Sequence, residues 1–295
     1  MCGIVGLYAK QAAIADRLGG LLANMLIQMG DRGPDSAGIA LYRDGEGRGK
    51  LSVRVADQAQ RDALQAAAEA ALGCSSETLG AHLLLSGEFG SNAVQWIHDT
   101  CPEADVMSVG ERIEIYKEAV HPSDFVKAHN LESVRGSHAL GHTRMATESA
   151  VTTLGSHPFS TGQDLCLVHN GSLSNHNRLR SKLERAGLQF KTENDSEVAA
   201  GYLANRLAEG DSLHEALAAA LVDLDGFYTF AIGTREGFAV LRDPIACKPA
   251  VLAETDDWVA MASEYRAIAQ LPGAKHARVW EPEPGQIYTW EREAA

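Results

Sequence analysis

Apolar and polar positions along the chain follow two different periods. Alternating or continuous apolar runs predict strands at residues 2–8, 39–43, 51–55 and 165–173. Helical spacing of apolar residues, with capping residues at the ends, predicts helices at residues 16–29, 57–72, 175–187, 194–210 and 212–224. Strands followed by helices and then by more strands are typical of a layered α+β protein.

Two other parts of the chain carry shorter patterns. Closely spaced apolar runs predict one antiparallel sheet from four strands, at residues 226–234, 237–243, 249–255 and 257–263. Residues 106–118 alternate and predict a hairpin, and residues 121–129 predict a short helix. The stretch of about 50–135 lies outside the motifs described below. We interpret it as an insertion into a single domain that spans residues 1–295.

Composition and charge exclude several classes of protein. Hydrophobic residues make up 45% of the 295 residues, which argues against disorder. No apolar run approaches the roughly 18 residues of a membrane-spanning helix. Asp and Glu number 39 against 26 Lys and Arg, a net charge of −13, so nucleic acid and anionic membranes are not expected partners. The start of the chain has no secretory pattern and its cysteines form no C-x-x-C pair, so we expect a cytoplasmic protein.

Cys2 is a candidate nucleophile because of its position. Removal of Met1, which is usual before a small residue, would leave a thiol and a free α-amine on the same residue. An α-amine titrates near working pH and suits the general base that a thiol nucleophile needs. The ordinary alternative is that Cys2 is a small residue of a buried strand.

Four further residues could bind or polarise a substrate. Asn170 has a donor amide and Gly171 an unhindered backbone N–H, so the pair could stabilise an oxyanion, with a plain Asn-Gly turn as the alternative. Arg144 has a planar guanidinium that suits a substrate carboxylate or an ordinary ion pair. Asp195 opens a predicted helix, where it could bind an ammonium group or cap the helix.

Metal and nucleotide sites have little support. His138 and His142 are four residues apart, and His157, His169 and His176 follow, but no H-E-x-x-H pattern places two of them on one helix face. The chain also has neither a G-x-G-x-x-G nor a Walker loop. We therefore expect no metal and no nucleotide cofactor in this chain.

Nine short segments, spread over nearly the whole chain, form a pattern of their own. They are CGIVG at 2–6, RGPDSAG at 32–38, GHTRMAT at 141–147, HPF at 157–159, VHNGSLSNH at 168–176, NDSEV at 194–198, DGFYTFAI at 225–232, RDPIACKP at 242–249 and ASEYRAI at 262–268. In this number and order they resemble the class II glutamine amidotransferases, which are N-terminal nucleophile hydrolases. The resemblance implies an α+β fold, the four-layer αββα sandwich of two antiparallel sheets.

The resemblance also implies an activity and a role for each candidate residue. The family hydrolyses L-glutamine to glutamate and ammonia and passes the ammonia to a synthase site. Carried over to this chain, Cys2 would attack the side-chain amide and form a γ-glutamyl thioester, and its α-amine would move the proton. Asn170 and Gly171 would form the oxyanion hole. Arg144 would hold the α-carboxylate of glutamine and Asp195 its α-amino group.

Other features narrow the resemblance. Thr147 falls where the family often lines the glutamine pocket. The segment between RGPDSAG and GHTRMAT is longer than in compact amidotransferase domains and is closer to the glutamate synthase branch. Only short strand-like pieces follow residue 268. We therefore expect a detached glutaminase subunit, similar to that of a split glutamate synthase or N-methylglutamate synthase.

The partners implied by this resemblance are synthase subunits. We expect no cofactor in this chain, and FMN or an iron–sulfur cluster would belong to those subunits. Residues 74–135 are the expected partner interface. A stand-alone hydrolase of another γ-glutamyl amide is one alternative, and a non-catalytic regulatory subunit of the same fold is another. The presence of both Arg144 and Asp195 favours an amino-acid head group, and the intact candidate set argues against a non-catalytic subunit.

Overall fold

The computed structural model describes residues 2–44, 47–146 and 151–292. Its strands are β1 Gly3–Ala9, β2 Ser36–Tyr42, β3 Gly49–Arg54, β4 Ser75–Leu79, β5 His82–Gly87, β6 Asp105–Gly110, β7 Ile113–Glu118, β8 His138–Arg144, β9 Phe159–Gly162, β10 Leu165–Leu173, β11 Gly226–Gly233, β12 Gly237–Arg242, β13 Val251–Glu254, β14 Trp258–Ala262, β15 Arg278–Trp280 and β16 Ile287–Glu291. Its helices are α1 Ala12–Ala15, α2 Leu18–Ile27, α3 Gln58–Leu72, α4 Ala93–Thr100, α5 Pro122–His129, α6 His176–Arg185, α7 Asp195–Ala208, α8 Leu213–Asp223 and α9 Tyr265–Ile268.

Two large antiparallel sheets form the centre of the molecule. The first has seven strands in the order β15-β13-β14-β1-β8-β2-β7, and the second has five in the order β16-β12-β11-β10-β9. The strand nearest the start of the chain, β1, therefore lies inside the first sheet, between β14 and β8. An interior strand is held by ladders on both sides, so the residue before it has a well-defined place.

Helices cover the outer faces of both sheets. A cluster of buried apolar residues joins α2 and α5 to the first sheet, and a second cluster joins α6, α7 and α8 to the second sheet. A third apolar cluster fills the space between the sheets and includes Ile4, Val168 and Phe238. These layers confirm the expected αββα sandwich. No helix in the described ranges is long and apolar enough to cross a membrane.

A third, smaller sheet is built from residues 49–110 in the order β4-β5-β3-β6. Helices α3 and α4 cover one of its faces and share a separate apolar cluster with it. The predicted ends of α3 are confirmed, since the Asp57 side chain accepts the Gln60 N–H and Gly73 ends the helix with φ 62°. The following β7 and α5 pack with the first sheet instead. The interpretation of about 50–135 as an insertion stays a prediction.

The hairpin predicted at residues 106–118 is wrong. Strand β6 pairs with β3 in the small sheet, whereas β7 pairs with β2 in the seven-stranded sheet. The turn between them is held by the Asp164 carboxylate, which accepts the backbone N–H groups of Glu111, Arg112 and Ile113 at 2.8–3.0 Å. A Cβ at Gly110 would lie 2.2 Å from that carboxylate, so only glycine allows this approach.

The single sheet predicted for residues 226–263 is also wrong. Strands β11 and β12 pair with each other in the five-stranded sheet, while β13 and β14 pair in the seven-stranded sheet. All four strands are largely buried because each sheet is covered on both faces. Their apolar patterns are therefore alike, and only the connection at residues 243–250 moves the chain from one sheet to the other.

Candidate active site

Cys2 lies directly before β1, at one end of the two-sheet core. Its carbonyl oxygen accepts hydrogen bonds from Arg32 Nε at 2.9 Å and from Asn170 Nδ2 at 3.4 Å. The next residue is Gly3, where a Cβ would lie 2.7 Å from Met29 Cβ and 2.8 Å from Thr143 Oγ1. The backbone that carries the thiol is thus packed closely and bonded to two other segments.

Arg32 is a site residue that the sequence reasoning missed. It belongs to the RGPDSAG segment, but no role was assigned to it. Its guanidinium is buried and donates to Glu264 Oε1 at 2.6 Å as well as to the Cys2 carbonyl. A Cβ at Gly33 would lie 2.4 Å from the backbone nitrogen of Arg144, so the turn packs directly on β8. The signal in the sequence was a basic residue at the start of a run of turn residues, and its contact with Cys2, thirty residues away in the chain, came only from the structure.

Asn170 and Gly171 lie within β10 rather than in a turn. They pair with Thr229 and Tyr228 of β11, so the Asn-Gly turn that was the ordinary alternative does not form. Gly171 has φ 153°, and a Cβ there would lie 2.1 Å from the Phe227 carbonyl oxygen. The structure requires glycine at this position and brings the Asn170 amide from the second sheet to the Cys2 backbone of the first.

Arg144 ends β8, and its guanidinium NH1 donates to the Gly155 carbonyl at 3.1 Å. The Asn194 side chain donates to the same carbonyl at 3.3 Å. Asn194 is also the cap of α7, because its Oδ1 accepts the Ser196 N–H at 2.9 Å. The capping role considered for Asp195 therefore belongs to its neighbour.

Asp195 is the first residue of α7. Its Oδ2 accepts the Leu173 N–H at 2.9 Å, and its Oδ1 accepts the Ser196 hydroxyl at 3.3 Å. The same Oδ1 lies 3.8 Å from His169 Nδ1. These contacts orient a carboxylate that stays partly exposed, which suits an ammonium ligand.

One cavity of about 1000 Å³ brings most of the candidate residues together. Cys2, Arg144, Gly171 and Asp195 all line it, and Asn170 contacts the backbone of Cys2. Thr147 lies outside the described residues. A thiol in the same cavity as a guanidinium and a carboxylate can react with an amino acid whose head group is zwitterionic.

Three neutral histidines lie at or behind the cavity wall. His142 stacks on His157 with ring centroids 4.0 Å apart, and His169 Nδ1 lies 2.8 Å from the Ser196 hydroxyl. Burial lowers the pKa of His142 to about 3 and also lowers the pKa of His157 and His169. With these rings uncharged, the positive charge of the lining comes from the side chains of Arg144, Arg54 and Lys191.

Of the remaining histidines named from the sequence, His176 also lines the cavity, whereas His138 does not. His138 stacks on Tyr42 with centroids 4.1 Å apart, and His176 Nδ1 lies 2.7 Å from the Leu173 carbonyl. Within the parts of the chain that are described, no group of three or more His, Cys, Asp or Glu side chains is arranged to hold a metal ion.

Comparisons with known proteins address the family directly. A family model described as a glutamine amidotransferase domain matches residues 142–270. The glutamine amidotransferase-like protein GlxB of Rhizobium meliloti (strain 1021) is 51% identical over 302 residues, covering 100% of both chains. A putative glutamine amidotransferase of Methanothermobacter thermautotrophicus is 30% identical over 307 residues, covering 99% of this chain and 100% of the relative.

A solved structure has the same fold. Glutamine phosphoribosylpyrophosphate amidotransferase from B. subtilis superposes with a TM-score of 0.64 at 21% identity, covering 99% of this chain. The chain spans 48% of that larger protein, and at 21% identity the likeness concerns the fold alone. The two full-length relatives, the matching family model, the αββα layers and the sequence segments all lead to the same conclusion. This chain is an enzyme of the class II glutamine amidotransferase family.

Proposed function

We propose that this chain hydrolyses L-glutamine to glutamate and ammonia through a γ-glutamyl thioester on Cys2, which becomes the N-terminal residue after removal of Met1. The observation that carries the proposal is the single cavity shared by Cys2, Arg144 and Asp195. Arg144 would bind the α-carboxylate of glutamine and Asp195 its ammonium group, which would direct the side-chain amide toward the thiol.

The chemistry proceeds in two halves. The α-amine of Cys2 takes the thiol proton, and the sulfur attacks the amide carbon of glutamine. Asn170 and Gly171 donate to the resulting oxyanion, and its collapse breaks the C–N bond as the amine returns the proton to the leaving nitrogen. Ammonia leaves. Water, deprotonated by the same amine, then attacks the thioester, the C–S bond breaks, and glutamate is released with the thiol restored.

The test compares wild type with Cys2→Ala. We expect ammonia and glutamate release from glutamine by wild type, and loss of at least about 10³-fold in rate in Cys2→Ala, because the nucleophile is gone. Mass spectrometry of acid-quenched wild type should show a mass increase of one glutamyl residue on the N-terminal peptide.

Cys247→Ala is the matched control, since Cys247 is exposed and does not line the cavity. Its rate should equal that of wild type. Retained activity in Cys2→Ala, or purified active protein that still carries Met1, would contradict the mechanism.

The proposal extends to a partner, a glutamate synthase-like or N-methylglutamate synthase-like subunit that receives the ammonia. Two relatives match this chain over 100% of their own length, which supports a glutaminase made as a separate chain. The test is to purify the tagged chain from its native cells and supply glutamine labelled with ¹⁵N in the amide, in an excess of unlabelled ammonium.

We expect a complex with flavin absorbance that transfers undiluted label to the amino group of its product. Label found entirely in the free ammonium pool would contradict delivery to a partner.

A second candidate is hydrolysis of a larger γ-glutamyl amide, and the size of the cavity favours it. The lining extends to Arg54 and Asp105 of the small sheet, beyond the residues assigned to glutamine. The γ-methylamide and γ-ethylamide of glutamate, tested in the same assay as glutamine, decide between the two candidate functions. A higher kcat/KM for either amide than for glutamine would favour this candidate, and a lower value for both would favour glutamine.

A further inference from the structure

Lys117 is a buried lysine on β7 that belongs to none of the assigned roles. Its ammonium group donates to the carbonyl oxygens of Leu154, Ser156 and Pro158 at 3.1, 2.7 and 3.2 Å. The residue is 4% exposed, and its Nζ lies 4.7 Å from the centre of the Phe159 ring. The three N–H donors of an ammonium group are therefore matched by three carbonyl acceptors of one short segment.

A charged residue in this place needs a reason other than packing. Burial of an ammonium group is costly, and a well-packed apolar side chain of similar volume is often as stable or more stable. The same desolvation lowers the pKa of Lys117 to about 7. What the ammonium does, and an apolar side chain could not do, is to bind three backbone carbonyls at once.

The neighbouring strand shows that this segment is seated closely on the sheet. Gly38 of β2 pairs with Lys117, and a Cβ at Gly38 would lie 2.1 Å from the His157 carbonyl oxygen. The missing side chain lets residues 154–158 approach, and the lysine holds them there.

The same segment carries the contact to Arg144. The Gly155 carbonyl lies between two of the carbonyls that Lys117 binds, and it accepts from Arg144 NH1 at 3.1 Å and from Asn194 Nδ2 at 3.3 Å. Gly155 and Arg144 both line the cavity. Lys117 is thus connected to Arg144 by one peptide segment, without lining the cavity itself.

We propose that Lys117 is a positioning residue for the hydrolysis reaction, and that it sets the place of the Arg144 guanidinium by fixing the Gly155 carbonyl. This inference rests on the proposed function, in which Arg144 binds the α-carboxylate of glutamine. Lys117 touches neither substrate nor nucleophile. Its removal should therefore weaken recognition of the carboxylate and leave the reactivity of the thiol unchanged.

The test uses Lys117→Met with two substrates, glutamine and 4-aminobutyramide, which has the same amide and amine but no carboxylate. For glutamine we expect kcat/KM to fall by about 10–100-fold, mostly through a higher KM, because a binding group is displaced by a fraction of an ångström. For 4-aminobutyramide kcat/KM should change by less than about threefold, because no carboxylate is bound. The rate of Cys2 alkylation by iodoacetamide should be that of wild type.

Lys117→Gln keeps N–H donors at a shorter reach and should recover part of the glutamine kcat/KM. It also serves for the kinetics if Lys117→Met is unstable. Lys127→Met is the matched control, since its side chain is 77% exposed and pairs only at the surface with Asp124. It should behave as wild type with both substrates.

Equal losses with both substrates would show a purely structural role and overturn the inference, as would an unchanged KM for glutamine. The two proposals fail in different ways. If Cys2→Ala is as active as wild type, the proposed function is wrong. If Cys2→Ala is inactive and the Lys117 variants have the wild-type ratio of kcat/KM for glutamine to kcat/KM for 4-aminobutyramide, only the positioning role is wrong.

Discussion

Two interfaces between sheets in this molecule are built from opposite kinds of side chain. The seven- and five-stranded sheets meet through apolar residues, among them Ile4, Val168 and Phe238. The small sheet meets β7 through charged pairs, Lys50 with Glu114 at 2.7 Å and Arg54 with Glu118 at 2.8 Å. The first interface is buried and the second is partly buried, and only the second depends on particular partners.

The difference follows from the alternation of side chains along β7. Ile113, Ile115 and Lys117 point to the inner side, where the two isoleucines join the apolar layer. Glu114 and Glu118 point to the other side and meet the small sheet. Apolar burial is non-directional, whereas paired charges specify one register. The polar interface thus covers the edge strand β7 in a defined position, and the same strand carries Lys117, which binds residues 154–158.

The largest expected effect is in the apolar interface. Phe238→Ala should lower the free energy of unfolding by about 3–5 kcal/mol, because it leaves a cavity beside Tyr8 and Trp290 in a buried layer. Urea unfolding measures it. Val222→Ala is the control, since Val222 is 84% exposed, and should change the value by less than about 0.5 kcal/mol. A similar small change in Phe238→Ala would mean that this layer is not the dry core that the structure shows.

In the polar interface, removal of one charged partner should lower the free energy of unfolding more than replacement of both partners by apolar side chains. Glu114→Ala removes the carboxylate that pairs with the buried Lys50 and with Arg43 and that accepts the Tyr116 hydroxyl, and should cost about 3 kcal/mol in unfolding free energy. Lys50→Met together with Glu114→Leu should recover only part of that loss, because no unpaired ammonium group stays buried but Arg43 and the Tyr116 hydroxyl still lose Glu114. A double-mutant cycle in urea gives the coupling. If the single and double variants lose the same amount, the pair contributes through packing and not through charge.

The smallest effect concerns two histidines, His82 beside the polar interface and His138 on β8. Burial lowers the pKa of each to about 3. The unfolded chain binds a proton below about pH 6.5 and the folded chain does not, so stability is complete above that pH and falls by about 1.4 kcal/mol per pH unit per histidine toward pH 3. His82→Gln and His138→Gln should each reduce this slope equally between about pH 6.5 and pH 5. A reduced slope for one alone would show that water enters the other site.

The local elements of the fold were predictable from sequence. Helix α3 has its cap, its apolar stripe and its glycine within one continuous stretch, so its ends were predicted correctly at Asp57 and Gly73. The hairpin at 106–118 was not, because Asp164, which holds that turn, is about fifty residues away in the chain. The sequence also did not show which sheet each of the strands β11 to β14 joins, since strands buried on both faces have the same apolar pattern in either sheet.

The sequence by itself indicated the family and the candidate residues. A cysteine at position 2, an arginine, an Asn-Gly pair and an aspartate at a helix start were all evident, and so was the family whose segments they belong to. Only the tertiary structure decided which of them share one cavity, that Arg32 and Asn170 hold the Cys2 carbonyl, and that Lys117 reaches the segment bonded to Arg144. The reason is that these contacts join residues on different sheets, and pairing across a sandwich depends on the register of strands far apart in the chain, which local periodicity does not contain.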